Sequence, residues 1–253
     1  EELAELIRTA CKEILKMGVT TVHWIASTVW ELYALEKASE GWSFPLRIYL
    51  IIPVGALEIP YLLHKLKEIE NEYFRIGGVM LSVDGYLANE TAALTEPYKN
   101  SGKTGKLYYE SREIERFIER AGRNGLQPVI HAMGDKAIKE ALKAIENASK
   151  ASKFRKLRIR LETAALFTPK LIEKVATLEK VIVSVQPYMA YSEVNVWKAM
   201  ERIGPERVRW LYPLKTLIER GLILAGGTDA PMEPKNIFFH IKAAATWTSK
   251  ERI

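Results

Sequence analysis

A single cysteine, Cys11, occurs in the chain, so no disulfide can form within it. That scarcity fits a reducing, cytoplasmic setting. Cys11 sits in an amphipathic helical pattern and reads as packing rather than as a nucleophile. No apolar run approaches the roughly 18 residues of a transmembrane helix, so no membrane partner is expected. The opening Glu1-Glu2-Leu3-Ala4-Glu5 is acidic and helical, unlike a signal peptide. The formal charge of +6 comes from Lys and Arg scattered among Glu, with no basic stripe interleaved with aromatics. That pattern describes a solvated surface of thermophilic character and excludes a nucleic-acid footprint. There is no Gly-x-Ser-x-Gly elbow, which disfavours the common α/β serine hydrolases. No phosphate-cradling glycine loop is found either. Gly77-Gly78 precedes its strand, and Gly226-Gly227 runs into an acidic residue that would repel phosphate.

What is present is a long alternation of two patterns. With 253 residues, 48% of them hydrophobic, the chain can bury a large core. Short β-branched runs at about 19–25, 46–52, 77–83, 127–131, 157–162, 180–186 and 222–227 read as strands. Helical periodicity fills residues 2–17, 28–40, 56–71, 111–124, 136–149, 168–178, 193–202, 212–220 and 236–246. Alternation of this kind predicts a parallel sheet with right-handed crossovers in one domain, 1–253, and no repeat or linker divides it. The length suits a (β/α)8 barrel. Seven strands are read where a barrel closes with eight, and the chain opens on a helix, so the expected fold is a TIM-barrel-like α/β domain whose first strand precedes residue 1. Residues 86–110 form a long polar stretch, expected to cover the mouth of the barrel as a lid-like loop.

Chemistry on such a fold belongs at the C-terminal strand ends. The stretch Gln127-Pro-Val-Ile-His131-Ala-Met-Gly-Asp135 delivers a histidine at a strand end and then enters a helix, with Asp135 as its expected N-cap. The other strand ends supply Trp24, Met80, Ser82, Asp84, Glu162, Thr163, Gln186, Tyr188 and Asp229. His131, Asp229 and Glu162 are the candidate bases and Ser82 the candidate nucleophile. His131 can pair with Ser82 or Tyr188, with Asp229 or Glu162 orienting it. Each residue also has a plain structural role open to it, and Trp24 and Met80 in particular suit a barrel core.

Six ordered motifs then give a resemblance: Val-Asp-Gly-Tyr-Leu (83–87), Thr-Ala-Ala-Leu-Thr-Glu-Pro-Tyr (91–98), Ile-His-Ala-Met-Gly-Asp-Lys-Ala (130–137), Arg-Leu-Glu-Thr-Ala (160–164), Ser-Val-Gln-Pro (184–187) and Gly-Gly-Thr-Asp-Ala-Pro (226–231). Together they resemble the family-3 amidohydrolases, which include N-substituted formamide deformylases. Gly18-Val-Thr-Thr-Val-His23 extends the likeness toward the N-terminus. The resemblance implies a (β/α)8 barrel that hydrolyses amide or similar C–N bonds with water activated by zinc. It also implies that His131 stands at a metal-ligand position and Asp229 at the position of ligand and proton shuttle. The departures are local. The chain has no His-x-His motif, Met80 aligns with the lysine that can bridge metals, and Thr163 stands where a ligand histidine is usual. A thioether and a hydroxyl are poor ligands for a hydrolytic metal. The expectation is therefore a largely dismantled metal site with no metal of its own. The alternative is a natural or engineered metal-free pocket in which Trp24, Met80, Thr163 and Tyr188 meet an apolar small molecule.

Overall fold

The computed structural model describes residues 1–41, 43–151 and 157–246. Seven strands follow one another in sheet order as they do in the chain: β1 (Thr21–Ile25), β2 (Arg47–Pro53), β3 (Phe74–Ser82), β4 (Gln127–His131), β5 (Ile159–Glu162), β6 (Val181–Val185) and β7 (Ile223–Gly226). The pairings of β1 with β2, β2 with β3, β5 with β6 and β6 with β7 are all parallel. The alternating α/β architecture read from the sequence is the one observed. The described chain divides into two compact units, Glu1–Leu81 with Arg123–Val129, and Ser82–Gly122 with the residues from Ile130 onward.

In the first unit, helix α1 (Glu2–Lys16) buries Ala4, Ile7 and Cys11, the spacing of one helical face. Burial pushes the Cys11 thiol up to about 11, which leaves it a packing group rather than a thiolate. Gly18, with φ +81°, turns the chain out of this helix at no Cβ penalty. Helix α2 (Val29–Ser39) opens with a capping box in which Thr28 and Glu31 satisfy each other's orphan amides. β2 is buried over most of its length, the pattern of a strand covered on both faces. A short 3-10 turn (Val54–Glu58) and helix α3 (Pro60–Glu68), begun by a proline at N1, occupy the stretch expected to be one helix. β3 carries Gly77, over which the Tyr49 ring packs so closely that any Cβ would collide with it. The Tyr49 hydroxyl donates to Gly77 O at 2.7 Å.

The second unit holds the end of β4 and everything beyond. Helix α4 (Ser111–Arg123) and helix α5 (Asp135–Ser149) are amphipathic, and α5 buries Ile138, Leu142 and Ile145 along one face. Burial of each such side chain contributes about 1.5–3 kcal/mol. Helix α6 (Pro169–Ala176) is capped by the Thr168 side chain, which accepts from Leu171 N. β6 leads directly into α7 (Pro187–Tyr191), a π-helical turn (Ser192–Val196), α8 (Ala199–Ile203) and α9 (Pro205–Val208). The single helix expected over 193–202 is thus broken, and Lys198, at φ 56°, marks the break. Helices α10 (Leu214–Glu219) and α11 (Ile237–Thr246) flank β7.

Candidate active site

His131 closes β4 and is 4% exposed. Among the described residues neither ring nitrogen has a hydrogen-bond partner, so the dyad expected with Ser82 or Tyr188 is not formed. Ser82 lies exposed at the end of β3. Burial pushes the His131 imidazole down to about 4, which makes it a neutral ring with a free lone pair at physiological pH. A buried imidazole with nothing bound to it is costly unless some other group completes it.

Two residues from the loop after β3 lie near it. Asp84 is buried, and its Oδ1 lies 4.0 Å from His131 Nδ1. Its carboxylate accepts from Ala93 N at 2.8 Å, Met133 N at 2.8 Å and Gly134 N at 2.9 Å. One side chain therefore ties the loop after β3 to the turn after β4. Burial drives Asp84 up to about 7, with the three amides pulling the other way. Tyr86 stacks obliquely on His131 with ring centroids 5.3 Å apart, yet remains 46% exposed. Burial, then Asp229, Asp84 and Glu162, hold its hydroxyl above the ordinary phenol range. Among the described residues the Tyr86 side chain makes no hydrogen bond, so its O–H is available to a ligand. The sequence offered Tyr86 only as part of a motif; its signal was the position two residues beyond Asp84.

The stretch 86–110 is a packed loop anchored at the C-terminal ends of β3 and β4, the same end as His131. Ala92, Ala93, Leu94 and Tyr98 are buried in it. Leu87 N donates to Met133 Sδ at 3.3 Å, Lys136 N to Ala93 O at 3.1 Å, and Arg207 reaches Glu96 O and Pro97 O at 2.8 Å each. Asp135 is not the N-cap of α5. Gly134 holds that place, and Asp135 Oδ1 instead accepts from Thr95 N at 3.0 Å. The loop competes for the carboxylate and wins it.

Glu162, at the end of β5, is buried and fully engaged. It pairs with Arg160 and accepts from Ser184 Oγ at 3.1 Å and Gln186 Nε2 at 2.6 Å. A carboxylate with three donors is an anchor. Thr163, the next residue, is buried with φ 56°. A β-branched residue in the left-handed region is an outlier, whereas histidine enters it more readily. Asp229 also has positive φ, at 57°. Burial, then Glu162 and Glu233, raise it to about 6. Tyr188 lies in α7 against Tyr191, Phe239 and His240. Trp24 and Met80 belong to the first unit, where Trp24 Nε1 donates to Glu31 Oε2 at 3.4 Å and Met80 lies in register with Pro53.

The sequence profile of the amidohydrolase family matches residues 1–252. The chain belongs to the amidohydrolase family. Its similarity to a putative amidohydrolase, YtcJ, of Bacillus subtilis is 29% identity over 95% of this chain and 45% of that protein. Among solved structures it is similar to an uncharacterized metal-dependent hydrolase from Pyrococcus furiosus, with TM-score 0.80 and 33% identity over 99% of this chain and 52% of the other. A counterpart from Pyrococcus horikoshii OT3 gives TM-score 0.80 at 31% identity, over 100% and 50% of the two chains. The amidohydrolase chain thus spans about half the length of these relatives. A Xaa-Pro dipeptidase at 15% identity and TM-score 0.58 shares the fold. The α/β fold is accordingly that of the amidohydrolase barrels, with seven of its strands described.

The family's metal can be tested against the residues in hand. The unpartnered nitrogens of His131 suit a ligand. Among the described residues, however, no three His, Cys, Asp or Glu side chains are placed to hold one ion. Glu162 is committed to its donors, and Thr163 offers only a hydroxyl. The described donor set does not fit a hydrolytic metal, which takes about three protein ligands and an open position.

Proposed function

We propose that this amidohydrolase-family chain hydrolyses an amide or related carbonyl bond of a small organic molecule, with a largely dismantled metal site and by proton transfer among its own side chains. The observation that carries the reading is Asp229, a carboxyl held up at about 6 by burial and by Glu162 and Glu233, and itself one of the charges that hold the Tyr86 hydroxyl above the ordinary phenol range. A base titrating near neutrality takes a proton efficiently at working pH. In this reading Asp229 accepts the proton of the attacking water, and Tyr86 donates a hydrogen bond to the carbonyl oxygen as charge develops on it. The proton on Asp229 then passes to the departing nitrogen or oxygen, so that water adds across the bond and Asp229 is regenerated. His131 supports the site as a neutral acceptor. The reading requires the His131 ring and the Asp229 carboxyl to lie within about 4–5 Å, the span one metal would bridge.

A panel of N-formyl and N-acyl amines and aryl esters, assayed in the presence of chelator, is the test. Slow turnover that survives chelation and falls about 10²–10⁴-fold in Asp229→Asn is expected. Turnover abolished by chelator would turn the reading over to a second one, in which residues outside this chain complete a metal site. The orphaned nitrogens of His131 and the half-length match to its relatives favour that second reading.

A single domain across both units belongs to the same proposal, supported by one family profile that spans them. So do a cytoplasmic setting and a heat-adapted surface, supported by one buried cysteine and by similarity to Pyrococcus proteins.

A further inference from the structure

Asp229 keeps a left-handed backbone, a region that aspartate enters more readily than most residues, and here the neighbouring backbone holds it there as well. The support is visible on both sides of it. Before it, Gly227 N donates to Val185 O at 2.9 Å. After it, Met232 N and Glu233 N both donate to Asp229 O, at 2.9 and 3.3 Å, and close a tight turn. That turn is fastened at its far end. The Glu233 side chain is buried, and its Oε2 accepts from the buried Ser192 Oγ at 2.9 Å. Ser192 opens the π-helical turn that follows α7, 41 residues away in sequence. One residue further on, Pro234 O accepts from His240 Nε2 at 2.7 Å.

A residue that moves from the left-handed to the right-handed region swings its Cα–Cβ bond to a new direction. Releasing the turn would therefore carry the Asp229 carboxyl away from where it now stands. Among the described residues Glu233 Oε1 makes no hydrogen bond, and Oε2 is held by the Ser192 hydroxyl. The Ser192 hydroxyl is thus the contact through which this side chain acts on the turn.

We propose that Glu233 is a positioning residue for Asp229, and that the Ser192–Glu233 hydrogen bond is the clamp that holds the Asp229–Pro234 turn. The proposal rests on the reading that gives Asp229 the proton-transfer role.

Hydrogen exchange of the Met232 and Glu233 amides in the whole chain tests it, with the amides of α5 as a control for global folding. Ser192→Ala and Glu233→Ala should each speed exchange at both turn amides about tenfold, the loss of one hydrogen bond to a charged group. Glu233→Gln should return exchange to within about threefold of the parent, because an amide oxygen accepts from Ser192 as a carboxylate does. On any substrate of the panel that is turned over, kcat should fall in Ser192→Ala with KM little changed, and Glu233→Gln should restore most of it. Unchanged exchange at both amides in Ser192→Ala would overturn the clamp, and this smaller substitution decides the matter if Glu233→Ala does not fold. Failure of Glu233→Gln to restore slow exchange would overturn it as well. Faster exchange in Ser192→Ala with kcat unaltered would leave a clamp with no positioning role and so reject the proposal. If Asp229→Asn leaves turnover intact while the exchange results hold, the hydrolytic reading fails and the clamp stands as structure alone.

Discussion

At the scale of single residues, the second unit carries more buried charge than its partners can satisfy. Glu193 is 0% exposed, and neither of its oxygens has a hydrogen-bond partner. Burial chiefly, with Glu233 adding and Arg202 opposing, lifts it from 4.5 to about 8. A carboxyl whose folded pKa lies above its unfolded one contributes its full stability below about 4.5, and that stability drains as pH rises toward about 8. Glu193→Gln should therefore be close to neutral near pH 4.5 and more stable than the parent at pH 8, by about 2–4 kcal/mol. Urea unfolding at the two pH values checks it, and equal stability changes at both would contradict the assignment. His131 works in the other direction. Its folded pKa is depressed to about 4 from 6.5, so its contribution is complete above 6.5 and is lost as pH falls through about 4. Thr163 supplies a second prediction. Histidine suits its left-handed backbone better than threonine does, and it adds a nitrogen donor beside Glu162. Thr163→His should fold and should tighten zinc binding by about tenfold or more, as read by competition with a chromogenic chelator.

At the scale of elements, the informative segment is the loop between β3 and α4. Its length and turn residues were legible in the sequence, and so was its place beside the strand end at Asp84. What the sequence hid was how firmly it is held. Asp84 reads only as one of the strand-end residues, yet it gathers three amides from two segments. Asp135 reads as a helix cap, yet it serves the loop. Such contacts join residues about 10 to 50 positions apart, beyond the reach of local propensity. Asp84→Ala should cost about 3 kcal/mol or more, since it strands three buried amides. Gly134→Ala should cost about 1–3 kcal/mol, because its methyl would meet the Ala93 carbonyl. A lowered denaturation midpoint at unchanged m-value checks both, and wild-type stability in Gly134→Ala would show that the loop can move aside. The strands were the easiest elements to read, because period-2 and β-branched runs are local; β4 coincides with its expected span. Residues 193–202 read as one helix because neither the π-helical turn nor the left-handed Lys198 has a strong local signature.

At the scale of the whole molecule, the likeness to the family lies in motifs spread along the scaffold, while the proposed chemistry rests on a few positions within them. The likeness offers His131 and Asp229 as candidate site residues. It offers neither the Tyr86 side chain nor the Ser192–Glu233 hydrogen bond, since an isolated phenol and a serine–glutamate pair carry no sequence signal of their own. We propose that the residues of this chain carry acid–base groups and an incomplete ligand set. Two ligand-type residues, a hydroxyl at Thr163 and a thioether at Met80 should leave zinc bound orders of magnitude more weakly than a full set. The most direct test is the metal content of the chain purified without chelator, measured by plasma mass spectrometry alongside activity. Well under one zinc per chain is expected, with any turnover unaffected by chelator. About one zinc per chain, removed together with activity by chelator, would contradict it.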